Sequence, residues 1–338
     1  MSSINAKKQL KNVRRILALP VSRALLALII ILLLGALFNA EGAFFKWDTH
    51  RDMLRHISRY GILACGMTLV IITGGIDLAV GSVLGLIAVF SAMLMIHWQW
   101  SPFVAVPLCL VAGFACGALS GLLVARFRVQ AFIATLAMMV FARGVAKYIS
   151  GGRKISQGVQ TENGVEYLEF PTFFKILNER IFYDNIAVVT LVFLGCALVS
   201  WLLLSRLRPG RYMYAIGGNE EAARLSGVPV ARIKTLAYAM SGLFAAVAGI
   251  CQTAQETQGD PEAGGSYELT AIAIVVIGGT NLMGGRGGMV LTLVGALTIG
   301  YLEKILSINA VSEAGRLMLT GFIIVAAVLF QRNKPWSA

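Results

Sequence analysis

Residues 69–82 read LVIITGGIDLAVGS, and residues 274–287 read IVVIGGTNLMGGRG. Each stretch is an apolar, β-branched run that stops at a Gly-Gly pair, carries a polar residue soon afterwards, and reaches further glycine. Glycine-interrupted apolar segments at corresponding places in two halves of a chain are typical of a substrate path through a membrane. Backbone freed at such a break persists at membrane depth only inside protein or beside a water-filled cavity. The alternative interpretation is a glycine-rich loop between two membrane spans.

The composition is that of an integral membrane protein. Of the 338 residues, 57% are hydrophobic and 14% are charged, whereas about a quarter of the residues of a soluble domain are charged. The net charge of +12 comes mostly from basic residues that flank apolar runs. Such residues fit a bilayer with anionic lipid and a fixed topology better than they fit nucleic acid, so no nucleic-acid partner is predicted.

Apolar segments near the length that crosses a bilayer, about 20 residues, recur along the chain. They predict an all-α fold, a polytopic membrane helical bundle of about ten transmembrane helices. No polar stretch is long enough for a soluble domain, so residues 1–338 are expected to form one membrane domain. Spans two and eight are short, as expected where a helix unwinds. The spans lie approximately at 24–40, 57–73, 79–96, 103–124, 130–149, 186–204, 235–254, 268–280, 289–307 and 315–331.

The distribution of Lys and Arg places both the N- and the C-terminus in the cytoplasm. In this topology the basic segments before span one and between spans six and seven lie inside. Arg51, Arg55 and Arg59 then lie outside; they are four residues apart and form one helical face, with Asp48 and Asp52 nearby to offset them. We interpret this face as an interfacial helix that leads into span two.

The sequence contains no recognisable catalytic or metal-binding motif. Its cysteines form no CxxC pair, and no His lies at ligand spacing, so buried inert thiols are expected. A phosphate loop ending in Lys-Ser/Thr is absent; residues 284–288 read GGRGG and are predicted to form an interfacial turn. Neither a Ser/His/Asp nor an HExxH pattern is present. The cysteines are Cys65, Cys109, Cys116, Cys196 and Cys251, and the histidines are His50, His56 and His97.

Residues 206–234 form the most structured polar segment. Asn219 is a good helix N-cap, and Gly227 suits the left-handed position that ends a helix. Pro229 cannot continue that helix but can begin another that runs into span seven. The segment is either a well-capped connection or a docking element for a cytosolic partner. The residues assigned to it are Gly218, Asn219, Glu220, Glu221, Arg224, Leu225, Gly227, Val228 and Pro229.

The helix-break residues are assigned to a substrate pathway or to support of the break itself. Asp77 is the one carboxylate well inside the apolar pattern of the first five spans, and such a carboxylate is costly and usually functional. It either lines a path or accepts N–H bonds from freed backbone, and we favour the second role. Arg143 and Lys147, late in span five, either meet a carboxylate in the bundle or snorkel outward, and we favour snorkelling. The full set is Thr73, Gly74, Gly75, Asp77, Gly278, Gly279, Thr280 and Asn281.

Several long motifs occur in the order found in one family. They are GILACGMTLVIITGGIDLAVGS, QAFIATLAMMVFARG, YAIGGNEEAARLSGVPV and AIAIVVIGGTNLMGGRG. With them the chain resembles the monosaccharide (ribose/xylose/galactose-type) permeases of ABC importers over nearly its whole length. The family usually has Ser where this chain has Ala79 and often Asp where it has Thr270, and segment 156–185 is unlike the usual pattern.

The resemblance implies a permease subunit in the bacterial inner membrane that has no nucleotide site or cofactor of its own. Its implied partners are a cytosolic ATPase that uses ATP, a periplasmic sugar-binding protein, and a second permease copy or paralogue. Residues 217–234 fall where the family couples to its ATPase. The same importer class for a nucleoside, a lipid or a branched-chain amino acid is the nearest alternative. An ion-coupled secondary transporter would need more intramembrane carboxylates than Asp77, and a membrane-embedded transferase or hydrolase would need clustered catalytic groups.

Overall fold

The computed structural model describes residues 20–161 and 164–332, which are mostly helical. The third helix, Val80–Ala92, is extended by a π-helical turn, Met93–His97. The helices are α1 (Pro20–Leu37), α2 (Trp47–Ile72), α3 (Val80–Ala92), α4 (Pro102–Ala125), α5 (Ala131–Ser150), α6 (Thr172–Asn178), α7 (Val188–Ser205), α8 (Arg208–Gly218), α9 (Glu220–Leu225), α10 (Val230–Glu256), α11 (Tyr267–Ile277), α12 (Met289–Ile308) and α13 (Glu313–Arg332).

A helix lies at each predicted span. Within the described ranges, 6 helices are long and apolar enough to cross a membrane. These are α3 with its π-helical turn, α4, α5, α7, α10 and α12, and α1 and α11 are shorter apolar helices. The expectation of a short eighth span is confirmed, because α11 has only 11 residues.

The second span is the apolar half of a longer helix. The predicted interfacial helix and the apolar run that follows it form one continuous helix of 26 residues, α2. Its arginines have partners both near and distant in sequence: Arg51 pairs with Asp48 and with Asp184, each at 2.9 Å, and buried Arg59 donates to Gln252 Oε1 at 2.5 Å. Asp52 offsets Arg51, as expected, and it also pairs with Arg180, beyond span five.

Helix α10 occupies the centre of the bundle and packs against α4, α2 and α3. Glycines at four-residue spacing bring α4 and α10 close together. A Cβ added to Gly113 would lie 2.6 Å from the Gly242 carbonyl oxygen, and one at Gly121 would lie 2.8 Å from Cα of Thr235. Gly117 between them meets the backbone of Tyr238 in the same way. Small residues that let backbones approach are the usual basis of helix packing in membranes.

The polar segment after α5 contains short strands that the sequence did not predict. Strand β1 (Gly158–Thr161) pairs antiparallel with β2 (Gly164–Tyr167), and β3 (Arg180–Ile181) pairs with β4 (Ile186–Ala187). The second hairpin contacts the start of α2, where Trp47 Nε1 donates to Asn185 Oδ1 at 2.6 Å. We name the two ends of the bundle after the predicted topology. The end that carries the two hairpins is the outer end, and the end that carries α8 and α9 is the coupling end.

The cysteines agree with the sequence-based expectation. All five are free thiols; four are buried in the apolar core and Cys116 is half-buried. The histidines are dispersed at the outer end: His50 contacts the Tyr301 hydroxyl at 3.2 Å, His56 lies 3.7 Å from Glu303, and His97 contacts the Ser156 carbonyl. Within residues 20–161 and 164–332, no cluster of three or more His, Cys, Asp or Glu side chains is arranged to hold a metal.

Candidate functional site

The first break begins where α2 ends. Thr73 is buried, and its hydroxyl donates to the Val70 carbonyl at 2.7 Å. Gly74 takes a left-handed conformation with φ +79°, which a side chain would strain. Gly75 packs directly against the hydroxyl of Tyr238 on α10, so a Cβ at this position would collide with that oxygen. The Gly-Gly pair therefore supplies both a turn and a close approach to the central helix.

Asp77 lies in the same break and is 2% exposed. Its Oδ1 accepts a hydrogen bond of 3.0 Å from the backbone N–H of Ala79, just before α3 begins. The neighbouring Ile76 carbonyl accepts a long hydrogen bond of 3.4 Å from the Tyr238 hydroxyl. The carboxylate thus satisfies a donor freed at a helix start, which is the geometry expected of the supporting role.

The second break closes on itself as a turn after α11. Gly279 has φ +103°, and the buried N–H of Thr280 donates to Val275 at 3.1 Å. Asn281 holds the turn: its N–H donates to the Arg286 carbonyl at 2.9 Å, and its Oδ1 accepts from Met283 N at 3.1 Å. Gly278 begins the break against the backbone of Leu291 on α12, where a Cβ would not fit. Residues 284–285 form a bend and residues 286–288 are irregular, and α12 begins directly after them.

The two breaks meet each other, and both meet the end of α8. The N–H of Gly285 donates to the Ile72 carbonyl at 3.0 Å. A Cβ at Gly284 would lie 2.9 Å from the Gly74 nitrogen, and one at Gly285 would lie 2.9 Å from the Gly218 nitrogen. Gly217 packs so closely on the Ile72 carbonyl and on Gly285 N that a Cβ there would overlap both. We call this contact of three glycine pairs (74–75, 217–218 and 284–285) the glycine junction.

Residues 206–234, which we call the coupling segment because the family resemblance implies ATPase coupling there, have the predicted caps. Asn219 Oδ1 accepts from Ala222 N at 3.0 Å at the start of α9, with Glu220 and Glu221 in the first turn. Helix α9 ends at Leu225, and Gly227, two residues later, has the left-handed φ of +81° that terminates it. There the N–H of Gly227 donates to Arg224 O at 3.0 Å and that of Val228 to Ala223 O at 3.1 Å, which is a Schellman motif.

The tip of the segment is exposed. Leu225 is 81% exposed, whereas Val228 and Val230 are half-buried. Pro229 caps α10, so the second helix runs directly into the seventh predicted span, as expected. Glu220 pairs with Lys234 at 2.5 Å, and Glu221 pairs with Arg224. The sequence did not predict α8, the helix whose last residues, Gly217 and Gly218, belong to the glycine junction; α9 follows it and connects the junction to the tip.

A cavity of about 1040 Å³ opens at the coupling end and joins the first break to the coupling segment. Its lining is mixed polar and apolar, carries several basic residues, and includes the start of α5. The polar and glycine residues of the lining are Thr73, Gly74, Gly75, Arg126, Arg128, Gln130, Glu220, Arg224, Arg232, Lys234 and Tyr238.

The sequence analysis missed a third irregular segment, residues 257–266, which enters the bundle from the outer end. Gly259 packs against the backbone of Ala88, and Gly264 packs against the backbone of Gly81 in the first turn of α3. Between residues 259 and 264 the segment therefore runs alongside α3, from Ala88 back to its first turn. Helix α11 begins after the segment, at Tyr267. The pairs Asp260-Pro261 and Gly264-Gly265 were a usable signal of irregular backbone.

Arg143 holds this segment in place, so the snorkelling prediction is wrong for Arg143. Its guanidinium donates to the buried Pro261 carbonyl and, at 2.8 Å, to that of Ala263. Non-helical backbone inside a bundle needs such partners for its free carbonyls. Lys147 stays half-exposed and meets a carboxylate: its Nζ lies 2.6 Å from Oε1 of the exposed Glu262.

The chain is similar in sequence to one family and to several individual permeases. A family described as "Branched-chain amino acid transport system / permease component" matches residues 51–328. The ribose import permease protein RbsC of Haemophilus influenzae is 39% identical over 307 residues, 91% of each chain. The L-arabinose transport system permease protein AraH of Escherichia coli is 36% identical over 278 residues, 82% of this chain and 80% of the relative.

The fructose import permease protein FrcC of Rhizobium meliloti is 34% identical over 287 residues, 85% of this chain and 78% of the relative. No solved structure matches the chain. The family match covers both breaks, the glycine junction and the coupling segment. The chain therefore belongs to the family of transport-system permease components and is a multi-pass membrane protein.

Proposed function

We propose that the chain is the permease subunit of an ATP-driven, binding-protein-dependent importer for a monosaccharide. The observation that carries the proposal is similarity at 34–39% identity, over most of the chain, to permeases named for ribose, L-arabinose and fructose. The chain itself is a permease subunit and not an enzyme. ATP would be bound and hydrolysed by a separate cytosolic ATPase, and a periplasmic protein would deliver the sugar at the outer end.

The proposed placement has about ten crossings with both termini in the cytoplasm of the bacterial inner membrane, in keeping with the basic coupling end. Six helices suffice for a crossing by length and composition. In this proposal α2 is a further crossing despite its charged start, because 26 residues at 1.5 Å rise extend about 39 Å, more than a hydrocarbon core. A second permease copy or a paralogue would complete the path.

In this proposal the cytosolic ATPase binds the exposed tip at Leu225–Pro229. Two features support the choice of this tip: it is apolar with charged flanks, and α9 and α10 meet there at a rigidly capped turn. A displacement of the tip would be carried by α9 to Gly217–Gly218 at the end of α8 and from there to both breaks. Thr73, Gly74, Gly75 and Asp77, with Gly278, Gly279, Thr280 and Asn281, would then set how the ends of α2 and α11 move.

The coupling role is tested by Gly227→Val, which forces a β-branched residue into a left-handed conformation. Nothing lies within 4 Å of the site of a Cβ at Gly227, so the variant acts through the backbone alone. We expect sugar uptake to fall while the permease still inserts. ATP hydrolysis that responds to loaded binding protein as in the wild type would rule out this role for the tip.

The substrate class is tested by uptake in cells that lack the gene and in cells that carry it on a plasmid. Labelled ribose, arabinose, fructose and leucine are supplied separately. We expect at least one of the sugars, and not leucine, to depend on the gene. Dependence of leucine uptake alone would favour the amino-acid importer that the family description names.

A further inference from the structure

A groove between α4 and α10 opens on the side of the bundle next to the coupling-end cavity. Its volume is about 530 Å³, and its walls are almost entirely apolar. It runs from Arg126 to Phe114 along α4, which is about 18 Å at 1.5 Å rise per residue. Two arginines, Arg126 and Arg232, stand at one end of it, and these same residues also line the 1040 Å³ cavity. The remaining lining residues are Ala118, Leu122, Ala231, Thr235, Leu236 and Ala239.

The charges at that end are not neutralised by the protein. Among the side-chain hydrogen bonds and ion pairs of the described residues, none involves the guanidinium of Arg126, Arg128 or Arg232, and all three are exposed. The carboxylates of the coupling segment are already used, since Glu220 pairs with Lys234 and Glu221 with Arg224. Three unpaired cations therefore face one cavity at the head of an apolar groove.

We propose that this site binds an anionic phospholipid, with one acyl chain in the groove and the phosphate between Arg126 and Arg232. An apolar slot alone would accept any lipid, and a basic cavity alone would accept any soluble anion. Because the apolar groove and the basic cavity share Arg126 and Arg232, the combined site fits an amphiphile with an anionic headgroup. Basic pockets between membrane helices are known to bind such headgroups. The proposal rests on the membrane placement above and not on which substrate is imported.

The site also connects lipid to the coupling machinery. Thr73, Gly74 and Gly75 of the first break line the cavity that would hold the headgroup, as do Arg224 and Val228 of the coupling segment. A bound headgroup would thus lie against the parts that we expect to move during transport. This predicts that phosphatidylglycerol raises both thermal stability and uptake.

The experiment uses the full chain purified in a neutral detergent. Melting temperature and lipid retention by native mass spectrometry are measured with phosphatidylglycerol, phosphatidylcholine of the same acyl chains, or inorganic phosphate. We expect phosphatidylglycerol alone to be retained and to stabilise the wild type. In Arg126→Gln/Arg232→Gln its binding should be about 30-fold weaker, because each basic residue contributes on the order of 1 kcal/mol and 1.4 kcal/mol is tenfold.

Three further variants make the result specific. Ala118→Leu narrows the groove without changing charge and should weaken phosphatidylglycerol binding. Arg232→Gln alone should weaken that binding less than the double variant does. Arg208→Gln/Arg211→Gln removes the same charge at the same end but outside both cavities, and it should bind as the wild type does.

Four results would overturn the proposal. Equal retention of phosphatidylcholine would mean a generic lipid groove. Stabilisation by inorganic phosphate that Ala118→Leu leaves intact would mean a soluble-anion site. Equal loss in Arg208→Gln/Arg211→Gln would mean diffuse surface charge. A shift of Ala118→Leu from dimer to monomer would mean that a second copy of the chain covers the groove.

Discussion

The backbone N–H of Gly285 donates a 3.0 Å hydrogen bond to the carbonyl oxygen of Ile72. Ile72 is the last residue of α2, and the final carbonyls of a helix lack partners within it. One helix break therefore caps the helix that ends at the other. Gly217 of α8 packs on the same two atoms, so we expect a change at the coupling segment to reach both breaks through backbone contacts.

Asp77 is expected to support the first break. Asp77→Leu leaves the Ala79 N–H without its buried partner, which costs about 1–3 kcal/mol, whereas Asp77→Asn keeps an acceptor oxygen. We predict that the Leu variant melts at lower temperature and loses uptake, and that the Asn variant retains much of both. Melting temperature and uptake are measured on the same preparations.

An unchanged melting temperature for Asp77→Leu would contradict the supporting role. If both variants fold normally and both alter uptake, Asp77 lines the path instead. Unchanged uptake in the Leu variant would exclude both roles.

Arg143 is expected to matter more for stability than Lys147, although both reach the segment 257–266. Arg143→Leu removes the donors to two buried carbonyls, those of Pro261 and Ala263, at about 1–3 kcal/mol each. Lys147→Gln breaks only an exposed ion pair with Glu262, worth about 0–1 kcal/mol. Thermal unfolding of the two variants checks this order, and equal destabilisation would show that Arg143 does not anchor the segment.

The proposed topology predicts which surface cysteines an impermeant thiol reagent reaches from outside the cell. Tyr183, fully exposed at the outer end, becomes reactive as Tyr183→Cys; Leu225→Cys at the coupling tip should react only after permeabilisation. Only Cys116 needs prior replacement, since the other four native cysteines are buried. The reverse labelling pattern would place the coupling segment outside and exclude its contact with a cytosolic ATPase.

Local rules were sufficient for some features of the chain. The Asn219 cap and the left-handed Gly227 depend on near neighbours, and hydropathy located the helices because each must be apolar to cross a bilayer. The distant partners of the α2 arginines, such as Asp184, were missed because they lie more than a hundred residues away in sequence. The glycine junction was missed for a different reason: contacts between glycine backbones leave no side-chain pattern to read.

The segment 257–266 shows a further limit. A polar stretch with Asp, Pro and Gly reads as a surface loop, and only the position of Arg143 in three dimensions reveals that it lies inside the bundle. The groove between α4 and α10 is likewise invisible in the sequence, because its basic end combines residues from two distant helices.

The central claim is that the coupling segment acts on the helix breaks through the glycine junction. Two neighbouring glycines of α8 offer a matched comparison: a Cβ at Gly217 would overlap the Ile72 carbonyl and Gly285 N, whereas nothing lies within 4 Å of one at Gly218. Alanine favours helix over glycine by about 1 kcal/mol at either position, so α8 itself is not weakened.

The decisive measurement is labelled-sugar uptake per ATP hydrolysed, in proteoliposomes that contain the permease, its ATPase and the binding protein. Equal amounts of folded Gly217→Ala and Gly218→Ala permease are compared with the wild type. The account predicts that Gly217→Ala loses most uptake per ATP while Gly218→Ala matches the wild type. Wild-type coupling in Gly217→Ala would contradict it.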